Sequence, residues 1–422
     1  MKSKIREIIT TWWQTPLPTI YPRNLDLINY FNPHLRKVLL VTGFRRVGKT
    51  FTLLDFAQKY GQSNCIYLNF EDDRLPQTIA TLTKLSEVIR ELRGTTPTVL
   101  LLDEIQEIAG WSRWVRRMNE TTPHHLIISG SSSRLISSEL PTELRGQTIT
   151  LPLSPLTWSE YCCFHSLNLD ILPSPDVESA LRNYLTYGGL PEIVLAEPGL
   201  RPHILASYYS SFVEHDLIDR HHIRKNEALA DLLRLLPTTH TFTYSKLAHS
   251  LASLGHSTTK DTVMRYLTWI QEAYFFSQLA LYSASIKKRL QSPKKGYLID
   301  NYFSSYYGNL DSPNLGHLME QVVYHHLLNL RDTSLHYWKD FANHEVDFVV
   351  TKNNQATELI QVSYIHDSVN MPDREIKSLI KASGRFPHAN LILITWDVAN
   401  TIKKGTKQIK LIPLSKFLTS IL

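Results

Sequence analysis

The chain has 422 residues, 43% hydrophobic and 20% charged, a composition of packed domains that excludes a disordered chain; this length calls for roughly two to four domains. No apolar run approaches the ~20 residues that a membrane helix needs, and three cysteines, Cys65, Cys162 and Cys163, make neither a disulfide framework nor a metal-ligand spacing. A reducing, cytoplasmic compartment and no membrane partner are expected, while the net charge of +6 permits an acidic partner such as nucleic acid without requiring one.

The N-terminal segment MKSKIREIITTWWQTPLP carries charges inside an apolar pattern and predicts a short amphipathic helix stopped by Pro16, not a signal peptide. Residues 1–35 form a lead-in. Residues 36–155 alternate strand and helix, with strands expected at 37–42, 65–70, 98–103, 125–130 and 147–151. That rhythm predicts a mostly parallel, doubly wound α/β sheet.

Two segments of this region carry chemistry. VTGFRRVGKT at 41–50 fits G-x-x-x-x-G-K-[ST], lies after an apolar strand and opens a helical pattern. Its backbone N–H groups, over Gly43, Phe44, Arg45, Arg46, Val47, Gly48, Lys49, Thr50 and Phe51, would cradle phosphate oxygens at a helix N-terminus. Lys49 would reach the outer phosphates and the Thr50 hydroxyl would ligate Mg²⁺. TVLLLDEIQ at 98–106 ends a second buried strand with Asp103 and Glu104, at the sheet edge where open α/β sheets bind ligands. Asp103 would hold Mg²⁺ through water and Glu104 would orient the attacking water. Alone, the first is an ordinary glycine turn and the second a solvated strand end. Together and in this order they point to a bound nucleoside triphosphate. HLIISGSSS at 125–133 ends in serines, and Ser129 is the candidate sensor of the γ-phosphate, with a helix cap as the plain alternative.

From 156 to 225 the spacing turns helical and predicts a lid, with Gly188-Gly189-Leu190-Pro191 ending one helix. EHDLIDRHH sets His215, Asp219 and His222 along one helical face, a polar face before it is a metal site. Residues 226–296 read as three helices and a hairpin, a winged helix-turn-helix pattern. Thr258 and Asp261 have capping-box spacing at the third helix. Lys260 and Arg265 lie on that helix. Lys287, Lys288, Arg289, Lys294 and Lys295 lie in or beside the wing with no acid among them, so this face is a candidate DNA contact or a solvated packing module. Residues 297–422 contain a helical stretch with Glu320, a hairpin turning at Asn353-Asn354, and strands at 391–395 and 409–414.

The motifs GFRRVGKT, LLDEIQ, SGSSS, LRGQ, YGGLP and EVDFVV…ELIQVSY, in this order from about 20 to 370, resemble a prokaryotic family of AAA-type P-loop ATPases with a winged helix and a C-terminal domain of unknown function similar to restriction endonucleases. The resemblance implies an ATP hydrolase using ATP and Mg²⁺, with Glu104, Lys49 and Ser129 as catalytic residues and Thr50 and Asp103 on the metal. It implies that nucleotide state moves the winged helix and the terminal domain, or alternatively a slow switch gripping DNA or a protein partner, or a metal-dependent nuclease. Phe44 replaces a proline of the family's loop, and Gln147 replaces its loop arginine, for which Arg145 or Arg134 are the substitutes. In the terminal domain Glu320 and Asp347 match the first acids of the nuclease pattern. Gln361 and Ser363 stand where E-x-K should be, and Glu358 should face away from Gln361, so an inactive nuclease fold is expected. Arg23, before the first strand, is a candidate for the base pocket.

Overall fold

The computed structural model describes residues 1–131, 144, 146–167, 174–223, 227–308, 314–330, 332–366 and 373–420. The chain divides into two compact units, Met1–Pro155 with Glu272–Tyr274, and Leu156–Gln271 with Phe275–Leu422.

The first unit runs α1 (Lys2–Gln14), β1 (Val38–Thr42), α2 (Lys49–Tyr60), β2 (Cys65–Asn69), α3 (Ile79–Arg93), β3 (Val99–Asp103), α4 (Trp111–Thr121), β4 (His125–Gly130) and β5 (Thr148–Pro152). Helix α1 buries Ile5 and Ile9 and ends at Thr15, just before Pro16, as its pattern predicts. The strands form one sheet in the order β2-β3-β4-β1-β5, with every pair parallel. Strands β1, β3 and β4 are buried throughout, which is why they read as unbroken apolar runs. Alternation divides their side chains between two faces. Leu40, Ile66, Leu68, Leu100, Leu102, Leu126 and Ile128 share a core with α1, α3 and α4. Leu39, Val41, Leu101 and Ile127 are buried on the other face, where α2 packs on β3 and β4. Each buried aliphatic side chain contributes about 1.5–3 kcal/mol. Two helical layers therefore hold the strands with their carboxyl ends, and so Thr42, Asp103 and Ser129, along one edge.

The second unit begins with α5 (Trp158–Phe164), α6 (Ser174–Tyr187), α7 (Pro191–Leu195) and α8 (Arg201–Ser211), after which Phe212–Asp219 winds as a π-helix. This is the helical segment expected over 156–225. Its YGGLP turn has a steric cause. Gly188 has φ +72°, and a Cβ there would lie 1.7 Å from Asp300 Oδ1. The Gly189 N–H donates to Asp300 Oδ2 at 2.7 Å, and its carbonyl accepts from the Leu156 N–H at 2.7 Å.

Next come α9 (Glu227–Leu235), β6 (Thr241–Phe242), α10 (Tyr244–Ser253), α11 (Lys260–Glu272), β7 (Phe276–Leu279), α12 (Ile286–Gln291) and β8 (Lys294–Leu298), with the strands ordered β6-β8-β7. Three expectations need correction. The cap of α11 is Thr259, which accepts from the Thr262 N–H at 3.2 Å, while the Thr258 hydroxyl is buried without a partner among the described residues. The segment between β7 and β8, expected as a wing, contains a short helix, α12, started by the Ser285 hydroxyl. The expected boundary at 296 falls inside β8, because that strand pairs with both β6 and β7.

The chain ends with α13 (Asn301–Tyr307), α14 (Leu315–Leu328), β9 (Thr333–Lys339), β10 (Glu345–Lys352), β11 (Gln355–Val362), α15 (Asp373–Arg385), β12 (Asn390–Thr395), β13 (Asn400–Lys404), β14 (Lys407–Pro413) and α16 (Leu414–Thr419). Six strands form a mixed sheet in the order β13-β14-β12-β11-β10-β9. The Asn353-Asn354 hairpin is present, and both asparagines are left-handed, φ +51° and +62°, as a two-residue turn matching sheet twist requires. Strands β9 and β13 had no sequence expectation. No helix among the described residues is long and apolar enough to cross a membrane.

Gly188→Ala is expected to lower stability by about 1–3 kcal/mol through overpacking against Asp300. Urea unfolding reads this, and an unchanged midpoint would refute the steric account of the turn.

Candidate functional site

The Gly-rich loop is shaped by backbone geometry that few residues accept. Gly43, Arg46 and Gly48 all have positive φ, at 153°, 66° and 101°. A Cβ on Gly43 would lie 2.2 Å from the Leu153 carbonyl oxygen, so β5 and its continuation press directly on the loop. Phe44 and Val47 are buried at 1% and 0% exposure, so Phe44, where the family's loop has a proline, anchors the loop in the core. Arg45 reaches Glu71 at 3.2 Å, and Phe51 is exposed. Arg23, the candidate for a base pocket, instead donates to the Val47 and Ser154 carbonyls at 2.7 and 2.8 Å and braces the loop from behind.

Lys49 opens α2 and is 4% exposed. Its ammonium donates to the Gly43 and Phe44 carbonyls at 3.2 Å each and lies 3.4 Å from Glu104 Oε1. Asp103, at the end of β3, is fully buried. It accepts from Thr50 Oγ1 at 2.6 Å, from Tyr67 Oη at 3.0 Å, and through Oδ1 from the Ser129 hydroxyl. Burial and the adjacent Glu104 push its carboxyl above the usual range, and the three hydroxyl donors oppose that. Glu104 is left-handed, φ 51°, ψ 43°. That turn swings its carboxylate back toward Lys49, while Oε2 accepts from the Ser131 N–H at 3.1 Å and from the Gln106 amide. Burial works against its charge, but Lys49 and then Gln106 hold the carboxyl below its ordinary range.

Ser129 sits on β4, between β3 and β1, fully buried. Its oxygen donates to Asp103 and accepts from the Glu104 N–H at 3.3 Å. The structure thus brings Gly43, Lys49, Thr50, Asp103, Glu104 and Ser129 together. It adds Tyr67 and Gln106, which sequence reasoning missed. Tyr67 pairs in register with Leu101 on the neighbouring strand, a placement that only strand order reveals. Gln147 is not near this group; it bonds Glu120 on α4 at 2.9 Å. Arg134 and Arg145 lie outside the described residues.

The residues present suit a triphosphate and a hard cation. Thr50 and Asp103 offer only oxygen, the donor type that Mg²⁺ takes. Ser131 Oγ and Gln106 Oε1, on either side of Glu104, are buried without hydrogen-bond partners among the described residues. Buried polar groups of this kind are normally satisfied, so these two are available to a ligand or its water.

A second polar cluster lies in the terminal sheet. Lys295 on β8 is 5% exposed, and its ammonium lies 2.6 Å from Asp347 Oδ1, 3.0 Å from Glu320 Oε1 and 3.0 Å from Glu345 Oε1. Lys294 is equally buried and donates to the Leu290 carbonyl at 3.1 Å. Neither is a wing cation; the expected basic face shrinks to Lys287, Lys288 and Arg289 on α12, with Lys260 and Arg265 exposed on α11. Glu345 is two residues before Asp347 on β10, and both carboxylates reach the Lys295 ammonium. Gln361 accepts from the Asp347 N–H at 3.2 Å, Ser363 stands outside this pairing, and Glu358 is raised by burial alone. The His215–Asp219 pair is exposed at 3.1 Å, and His222 lies past the π-helix, whose winding breaks the expected face. No group of three or more His, Cys, Asp or Glu among the described residues is set to hold a metal.

Comparison with known proteins places these features. An AAA domain model matches residues 35–162, and two domains of unknown function, DUF8612 and DUF4143, match 178–312 and 315–417. A Methanocaldococcus jannaschii protein, MJ1544, is 30% identical over 374 residues, covering 86% of this chain and 82% of its own. A Haemophilus influenzae protein is 27% identical over 336 residues, covering 78% and 82%. Both carry the name uncharacterized protein. The Walker-type ATPase PABY2304 of Pyrococcus abyssi aligns with TM-score 0.44 and 11% identity over 73% of this chain and 95% of that one.

Ser129→Ala removes a donor to Asp103 and strands the Glu104 N–H. Stability is expected to fall by about 1–3 kcal/mol, the cost of unsatisfied buried groups. An unchanged urea midpoint would remove Ser129 from the network.

Proposed function

The chain belongs to the family of the M. jannaschii protein and carries an AAA domain, and from that premise we propose that it binds ATP with Mg²⁺ and hydrolyses it. The observation that carries the reading is the meeting of Lys49, Thr50, Asp103, Glu104 and Ser129 at the carboxyl edge of one parallel sheet. The loop from Gly43 to Phe51 offers its N–H groups to phosphate at the start of α2. Lys49 exchanges its carbonyl partners and Glu104 for phosphate oxygens. Mg²⁺, when bound, would neutralise phosphate charge, with Thr50 and Asp103 holding it directly or through water. Glu104 released from Lys49 is a carboxylate kept ionised, able to accept a hydrogen bond from the attacking water. Ser129 links the two carboxyl positions and reports the state of the outer phosphate to β4.

The rate of turnover depends on whether an arginine is supplied opposite the γ-phosphate; slow turnover would make the nucleotide a switch read by the second unit. We take 226–298 as a winged helix and 315–417 as an inactive nuclease-like domain, since Gln361 and Ser363 replace the carboxylate and lysine of that chemistry. A second reading, contact with DNA, is favoured by Lys287 and Lys288 exposed on α12 beside Phe341, which is 99% exposed with the Lys288 ammonium 5.1 Å from its ring.

Phosphate release from ATP is expected to fall by about 10²–10³-fold in Lys49→Ala and Glu104→Gln, the scale of losing one preorganised group. Equal release by wild type and both variants sinks the hydrolase. For DNA, replacing Lys287, Lys288 and Arg289 by Ala is expected to reduce the log–log salt slope of binding by up to about 3. An unaltered slope takes α12 out of any interface.

A further inference from the structure

The terminal domain contains a cation site whose occupant is already part of the chain. Three carboxylate oxygens, from Glu320, Glu345 and Asp347, surround the Lys295 ammonium at 3.0, 3.0 and 2.6 Å. An ammonium has three donors, and each has one acceptor here. The carboxylates are themselves held. Tyr297 Oη donates to Glu320 Oε1 at 2.7 Å, the Val362 N–H donates to Asp347 Oδ2 at 2.9 Å, and Lys339 lies 3.0 Å from Glu345 Oε2. Burial works against charge on Lys295, but the three carboxylates outweigh it and hold the amine protonated.

We propose that the Lys295 side chain takes the place of a divalent metal in this carboxylate site and pins β8 to the six-stranded sheet. Two observations beyond the acids carry this. The first is the ammonium itself, a cation seated among the oxygens that a hard metal would use. The second is the strand that delivers it. The backbone of β8 is committed to β6 and β7, while its Lys295 side chain is committed to acids on α14 and β10. Lys294, the next side chain, turns away toward the Leu290 carbonyl and the Tyr244 ring. One residue therefore joins the three-helix segment to the terminal sheet and fills the position that nuclease chemistry would need open. The lysine missing at Ser363 has not simply moved: a catalytic amine stands beside a metal, whereas this one sits among the acids themselves.

The inference is independent of the nucleotide site. Its test is Mn²⁺ binding by the full chain without nucleotide, read by electron paramagnetic resonance and thermal melts. Lys295→Met leaves the acids without their cation. This variant is expected to melt below wild type, to bind one more Mn²⁺ per chain than wild type, and to recover several degrees of Tm in millimolar Mn²⁺. Adding Asp347→Asn to it should abolish both the extra ion and the recovery. The proposal is overturned if wild type binds the same extra Mn²⁺, or if Lys295→Met gains neither ion nor stability. Should the Met variant not fold on expression, refolding from urea makes the same comparison. Recovery only with Mn²⁺ supports the proposal, and no difference between the two conditions overturns it.

Discussion

One buried carboxylate organises the carboxyl edge of the parallel sheet. Asp103 takes hydroxyl donors from Thr50 on α2, Tyr67 on β2 and Ser129 on β4, and it lies at the end of β3 itself. An ionised carboxyl removed from water is costly unless hydrogen bonds replace its hydration. Satisfying Asp103 therefore fixes the relative positions of four elements. Thr50 lies in the first turn of α2, so its bond to Asp103 ties the end of the loop to β3. Burial keeps this carboxyl above its ordinary range and makes it responsive to any cation brought beside it.

Two of the buried lysines, Lys49 and Lys295, show how partner choice separates an exchangeable contact from a fixed one. Lys49 rests on two carbonyls at 3.2 Å and one carboxylate at 3.4 Å. Those are long contacts, two of them to neutral groups, and a triphosphate offers more charge at shorter range. Lys295 has three carboxylates at 2.6–3.0 Å. Breaking that arrangement would leave buried acids unpaired, a loss of several kcal/mol. In the reading proposed above, the first ammonium changes partners and the second keeps them.

Much of this was legible in the residues. The five parallel strands lie within a residue or two of the runs that announced them; three of these, β1, β3 and β4, are buried on both faces and have no polar alternation to blur. The Asn353-Asn354 turn was legible because few residues accept two successive left-handed positions. Strands β9 and β13 were not, since TSLHYWK and NTIKK have exposed or half-buried positions and no clean period. The cap at Thr259 was displaced by one residue because the STT run, Ser257 to Thr259, offers neighbouring hydroxyls that spacing alone does not rank. Lys294 and Lys295 looked like part of a solvated basic run; strand pairing buried them.

The sequence by itself determined the glycine-rich loop, the acidic pair that follows it and the strands that carry them, because each depends on local spacing and backbone restriction. Tertiary structure alone decided that Tyr67 would complete the shell of Asp103, that Arg23 would brace the loop, and that Lys295 would cross to acids 25 to 52 residues away. Those contacts join side chains whose separation along the chain carries no period. Their partners are chosen by which buried charges must be neutralised once the sheets have closed.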